Sequence, residues 1–271
     1  MCRHVAYLGP PVSLRSVLID PPHGLYRQSW APRRQRYGTV NADGFGAGWY
    51  APPDPVPARY RRAVPIWADE SFADVARVTT SGALLAAVRS ATAATDSGEA
   101  SAAPFTADGW LFSHNGRIDG WPSSAAAVAG TLPASALLEL DARVDSALLW
   151  ALVLHRLRLG MAATDALCDT IGTLESAGVT GRFNILLTDG SQIAASCYGD
   201  TLCYRTAGGT GVSTGVSTGV SDAADGAVVV ASEPADDEPG WQDVPDGNVI
   251  TADTSGVTMS TLTSDGRIAI R

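Results

Sequence analysis

The chain has 271 residues, 45% of them hydrophobic, with a formal charge of −9 and a pI of about 4.8; that is enough apolar material for one large domain or two small ones and the wrong sign for a nucleic-acid or anionic-membrane partner. All nineteen basic residues are arginine, which excludes Schiff-base chemistry and a lysine general base. Four cysteines (Cys2, Cys168, Cys197, Cys203) and four histidines (His4, His23, His114, His155) lack metal-ligand spacing, so neither a metal nor a cofactor is expected.

Cys2 directly follows the initiator methionine. Methionine is generally excised before a small residue, and excision leaves Cys2 with both a thiol and a free α-amine. An α-amine ordinarily titrates at roughly 7.7–8.0, so one residue can supply nucleophile and general base. Position alone favours an ordinary cysteine near a strand start, so the rest of the chain has to decide. The opening residues are too poor in apolar side chains for a secretory signal, and no run approaches the ~18 residues of a membrane span. A cytoplasmic protein with reduced thiols is the expectation.

Val5–Leu8 predicts a short strand stopped by Gly9-Pro10-Pro11, and Ser13–Ile19 one or two helical turns. His23–Tyr37 is aromatic, aperiodic and rich in arginine (Arg33, Arg34, Arg36), the text of a surface loop. Between Asn41 and Tyr50, Gly44, Gly46 and Gly48 alternate with larger residues, which leaves one strand face bare for another backbone or a ligand. A phosphate loop fits poorly there, because no helix start follows. Val64–Trp67 reads as a strand and Glu70–Ser81 as a helix. The apolar run Ala83–Val88 ends in Arg89-Ser90-Ala91-Thr92, and a charge at the end of a buried strand needs either an ion-pair partner or an anionic ligand. Trp110–Ser113 leads into His114-Asn115-Gly116-Arg117-Ile118. Asn-Gly predicts a turn, and it also sets an amide side chain beside a backbone N–H, the composition of an oxyanion hole.

Ser123–Ala129 and Ser135–Leu140 predict short helices. Asp145–Leu159 is the strongest helix, with Asp145 as N-cap and Gly160 as stop; His155 within it reads as structural. Asp165–Ala177 is a second helix holding Cys168 among apolar positions. A meander follows over Phe183–Thr188, Gln192–Cys197 and Leu202–Tyr204. The tandem Gly-Val-Ser-Thr text cannot bury a core, so a flexible insertion near 208–224 is expected within one domain spanning 2–271. Val228–Ala231 resumes the sheet, an acidic loop with one anchoring aromatic, Trp241, spans 232–241, and three strands close the chain. Strands, two central helices and strands again, without βαβ alternation, disfavour a parallel sheet. Two mainly antiparallel sheets covered by helices fit, an α+β class.

Cys2, the Asn-x-Asp-Gly-Phe-Gly-x-Gly-Trp stretch at 41–49, Arg89-x-Ala-Thr92, His114-Asn115-Gly116 and Asp145 occur in that order over nearly the whole chain. Jointly they resemble the class II glutamine amidotransferase domain of the N-terminal nucleophile hydrolases. The resemblance implies a four-layer αββα sandwich and hydrolysis of a γ-glutamyl amide through a Cys2 thioester, releasing glutamate. It implies Asn115 (side-chain amide) and Gly116 (backbone N–H) as oxyanion donors. Arg89 would clamp the glutamyl α-carboxylate, with Thr92 and His114 at the substrate and Asp145 on the α-ammonium. The family often has tryptophan after the clamp arginine and histidine after Ala-Thr, where this chain has Ser90 and Ala93. No room for a synthase domain follows, so a stand-alone member acting on a small γ-glutamyl substrate is expected, in an oligomeric state the sequence does not specify. A glutaminase subunit feeding a separate synthase, or an idle γ-glutamyl binding module, are the alternatives.

Overall fold

The computed structural model describes residues 2–91, 98–207, 226–262 and, for the backbone alone, 268–269. Thr92 and the 208–224 insertion lie outside the described residues. The first of two antiparallel sheets runs, edge to edge, through β11 (Gln242–Asp243), β9 (Cys203–Thr206), β10 (Val228–Ala231), β1 (Cys2–Ser13), β4 (Thr80–Arg89), β2 (Phe45–Trp49) and β3 (Ala58–Arg62). The second runs through β14 (Ile268–Ala269), β13 (Gly256–Leu262), β12 (Asn248–Asp253), β8 (Ile193–Cys197), β7 (Gly181–Thr188), β6 (Trp110–Ile118) and β5 (Phe105–Ala107). Helices α1 (Leu14–Leu18), α2 (Leu25–Gln28) and α3 (Glu70–Val78) cover the first sheet. On the second, short α4 (Ala126–Ala129) and α5 (Ala134–Leu138) lead to the long α6 (Asp145–Arg158) and α7 (Ala163–Ser176). The αββα sandwich expected from the sequence is the architecture that forms.

Strand alternation builds the layers. In β1 and β4, Val5, Tyr7, Leu84, Ala86 and Val88 pack beneath Leu18 and Phe72 of the outer helices, while Ala6, Leu8, Ala83 and Leu85 meet Leu111, Leu186, Ile193 and Ile250 of the opposite sheet. Neighbouring residues of a strand point to opposite faces, so both faces must be apolar where both are covered. Helix α6 is buried on most of its circumference from Ala147 to Leu154, because sheet and α7 both lie against it.

Three local expectations change. Gly9-Pro10-Pro11 does not stop β1; the strand continues to Ser13 across a register shift between Leu8 and Val12. The strand predicted at Val64–Trp67 is a 3₁₀ turn, Ile66–Ala68. Asn115-Gly116 is no turn but the middle of β6, paired with Asn184 and Phe183 of β7. Gly116 permits that pairing, since a Cβ there would stand 1.9 Å from the Arg182 carbonyl oxygen.

Candidate active site

Cys2 begins β1 and is the direct cross-strand partner of Arg89, the last residue of β4. Cross-strand partners share a face, so the thiol and the guanidinium start side by side. The Arg89 backbone is fixed at both groups: its N–H donates to Gly44 O at 2.8 Å, and its C=O accepts from Asp43 N at 2.9 Å. Its Nη1 donates to Asp43 O at 3.2 Å. From the other sheet, Asn115 Oδ1 accepts from the Cys2 backbone nitrogen at 3.1 Å.

The alternation of β6 sets the remaining donors. Ile118 N–H turns away from β7 and donates to Asp145 Oδ2 at 2.9 Å. Two residues earlier, Gly116 N–H faces the same edge, which β5 leaves open because it pairs only as far as Phe112. Asp145 is the first residue of α6; its second oxygen accepts from Ser146 N at 2.8 Å. The N-cap position falls on Val144, one residue before the expected Asp145.

Cys2, Arg89, Gly116 and Asp145 meet at one cleft, together with Ser90, Ala91, Ser101, Val144 and Ser146. A cation from the first sheet and an anion from the second helix layer therefore flank the thiol. A larger hollow, between β5, α5 and α6, contains none of Cys2, Arg89, Gly116 or Asp145.

His114 does not enter the cleft. Its Nδ1 lies 2.9 Å from Ser146 Oγ and its Nε2 2.8 Å from Arg182 O, so both nitrogens are engaged in packing β6 against α6 and β7. Burial holds its pKa below the usual histidine range, partly offset by the Asp145 carboxylate. Placement supports a supporting role in place of the expected substrate contact.

Several polar residues behind the thiol were not singled out from sequence. Arg3 and Asp200, both fully buried, pair at 3.3 Å, and Arg3 also donates to Thr201 Oγ1 and Gln35 Oε1. Asn115 Nδ2 stands 3.5 Å from Asp200 Oδ2, and Asn184 ties down the Asp200 backbone through Oδ1 and Nδ2. His4 Nδ1 bridges to Ser113 Oγ at 3.1 Å, and burial, with Arg3 and His114 nearby, pushes its pKa well down. The one available signal was the charge on Arg3 inside an apolar strand.

The 23–37 and 232–241 loops bind each other. Buried Glu233 accepts from the Arg33 and Arg34 backbone N–H groups at 2.9 and 2.7 Å. Arg33 reaches Asp237, and Arg34 reaches Asp243. Trp241 anchors its loop as expected, donating to Asp236 at 2.9 Å beneath the Arg205 guanidinium. Burial pushes the Cys168 and Cys197 thiols up to about 12, and Cys203 upward likewise. Among the described residues no cluster of three or more His, Cys, Asp or Glu could hold a metal ion, and no helix is long and apolar enough to cross a membrane.

A family model described as glutamine amidotransferases class-II matches residues 25–268. The γ-glutamyl-hercynylcysteine sulfoxide hydrolase of Mycolicibacterium smegmatis is 41% identical over 262 residues, covering 97% of this chain and 100% of that protein. A glutamine aminotransferase class-II domain protein from Silicibacter pomeroyi superposes with a TM-score of 0.66 at 21% identity, covering 97% of this chain and 100% of the other. The glutamine phosphoribosylpyrophosphate amidotransferase of B. subtilis gives 0.64 at 15% identity, covering 97% of this chain and 49% of that one. At these identities the two structural likenesses speak to the fold.

Proposed function

The chain belongs to the class-II glutamine amidotransferases, and from that premise we propose that it hydrolyses a γ-glutamyl amide, with Cys2 as nucleophile and γ-glutamyl-hercynylcysteine sulfoxide as substrate. That reaction belongs to ergothioneine biosynthesis. The observation that carries the reading is the cleft that joins the Cys2 thiol to Arg89 and Asp145. A glutamyl group bears a carboxylate and an ammonium on one carbon, and the two side chains offer one complementary charge to each.

With Met1 removed, the Cys2 amine takes the thiol proton as sulfur attacks the γ-carbonyl. The developing oxyanion is met by Gly116 N–H and an Asn115 Nδ2 hydrogen, while Asn115 Oδ1 holds the Cys2 nitrogen at 3.1 Å. An amide nitrogen carries two donors, so Asn115 can face Asp200 and the oxyanion together. Collapse breaks the C–N bond, and the Cys2 ammonium returns its proton to the leaving amine. The same amine then removes a proton from the water that attacks the thioester, freeing glutamate and the thiol. Thr92, expected to contribute at the α-carboxylate, lies outside the described residues.

A panel of γ-glutamyl amides assayed for released glutamate, with Cys2→Ala as control, tests this reading. The γ-glutamyl thioether sulfoxide should be turned over far better than glutamine, and the variant should release none. Glutamine as the best substrate would instead make the chain an ammonia source.

A further inference from the structure

Ser101 ends a 3₁₀ turn, Glu99–Ser101, at the wall of the cleft that holds Cys2. Its residue is only 3% exposed, yet its Oγ finds no hydrogen-bond partner among the described residues. Buried hydroxyls are nearly always paired, and an unpaired one is destabilising. Alanine would fill the same space without that penalty, so the fold gains nothing from this hydroxyl.

The segment that carries Ser101 is nevertheless closely fixed. Arg61 Nη1 donates to the carbonyls of Ala100 and Ala102, at 3.4 Å each. The bare face of β2 receives the next residues: a Cβ on Gly46 would lie 2.4 Å from Ala103 O, and one on Gly48 would lie 2.9 Å from Pro104 Cγ. The alternating glycines thus admit a backbone, and laying 102–104 flat on β2 delivers Ser101 to the cleft.

We propose that Ser101 is a substrate-binding residue, its Oγ–H donating to the α-carboxylate of the γ-glutamyl group beside the Arg89 guanidinium. The wall it occupies decides between the two ends of the glutamyl group. Ser101 is held beside Arg89: a Cβ on Gly44 would lie 3.5 Å from Cβ of the adjacent Ala102, and the Gly44 carbonyl accepts from Arg89 N at 2.8 Å, whereas Asp145 is the first residue of α6. A carboxylate has about four lone-pair sites, of which one arginine fork fills two. This inference rests on the γ-glutamyl reading of the site.

Ser101→Ala, assayed on a γ-glutamyl amide, should raise KM roughly ten- to hundredfold, the range for a hydrogen bond to a charged group, with kcat little changed. The inhibition constant of glutamate should rise by the same factor, and that of γ-aminobutyrate, which lacks the α-carboxylate, should not. Thermal stability should not fall, and Ser101→Thr should restore part of the affinity. Unchanged KM and glutamate inhibition in Ser101→Ala would overturn the assignment while leaving the γ-glutamyl reading intact. Equal weakening of both inhibitors with a lowered melting temperature would make Ser101 structural. A wild-type protein that releases no glutamate from any γ-glutamyl amide would overturn both readings.

Discussion

Behind the nucleophile stands a charge pair with no contact to solvent. Arg3 Nη2 donates to Asp200 Oδ2 at 3.3 Å, and Asn115, which accepts from the Cys2 nitrogen, reaches the same carboxylate at 3.5 Å. Removing one member of such a pair leaves the other charge buried and uncompensated, at a cost of about 3–5 kcal/mol. Asp200→Ala should therefore lower the unfolding free energy by that amount in a denaturant titration; an unchanged midpoint would contradict it. Asn115→Ala should keep the fold and lower kcat roughly 100- to 1000-fold, the usual loss of an oxyanion donor, and a rate within tenfold of wild type would remove Asn115 from that role. Cys2, Arg89, Gly116 and Asp145, which line one cleft, and Asn115, which holds the Cys2 nitrogen, were singled out as candidates because each residue type carries its own chemistry in an ordered series. Arg3 and Asp200 were not, because a pairing across 197 positions leaves no local pattern. His114 stands outside the cleft for a different reason. Successive strand residues face opposite sides, so Asn115 reaches Cys2 while His114 turns to Ser146.

Among the elements, β2 shows how composition becomes position. Its glycines were read as a bare face that admits a backbone or a ligand, and the structure resolves the choice in favour of backbone 102–104. Gly46→Ala should cost about 1–3 kcal/mol through overpacking against the Ala103 carbonyl, with KM raised because the Ser101 segment is displaced. A variant with wild-type melting temperature and KM would show that the contact is not constraining. The opposite lesson comes from β6. Asn-Gly is a strong two-residue turn signal, but pairing with β7 from Leu111 to Ile118 overrides it, and the glycine serves to let the Arg182 carbonyl approach. Local signals also ended β1 too early, since Gly9-Pro10-Pro11 falls at an irregularity in its pairing with β4 and not at its end.

Two buried histidines join layers of the molecule. His4 bridges the sheets and His114 joins β6 to α6, and burial keeps both below the ordinary histidine pKa. Each is therefore neutral in the fold, whereas the unfolded chain takes up protons near pH 6.5. Unfolding then binds protons, so stability should be level above about pH 7 and fall as the pH drops below about 6.5 toward 5. Thermal unfolding midpoints across that range check the sign, and a flat profile would mean that the two rings take up protons as readily in the fold as in the unfolded chain. Two mainly antiparallel sheets covered by helices were legible from strands, central helices and strands without βαβ alternation, while the four-layer order came from the family resemblance. What covers each sheet was less so, since the loops from 23 to 37 and from 232 to 241 are ordered by one another through Glu233 and Asp237, a long-range dependence that composition does not carry.

Cys2 must be both the N-terminus and the nucleophile for the hydrolysis to proceed as proposed. Intact-mass measurement before and after treatment with a glutamine-mimicking diazoketone, followed by peptide mapping, addresses both conditions at once. The prediction is a chain lacking Met1 that takes up one adduct, at Cys2, and loses its hydrolase activity in step. Cys168 and Cys197, with thiols pushed up to about 12, and buried Cys203 should remain unlabelled. A fully active chain that retains Met1, or an inactivating adduct on any other residue, would contradict the mechanism.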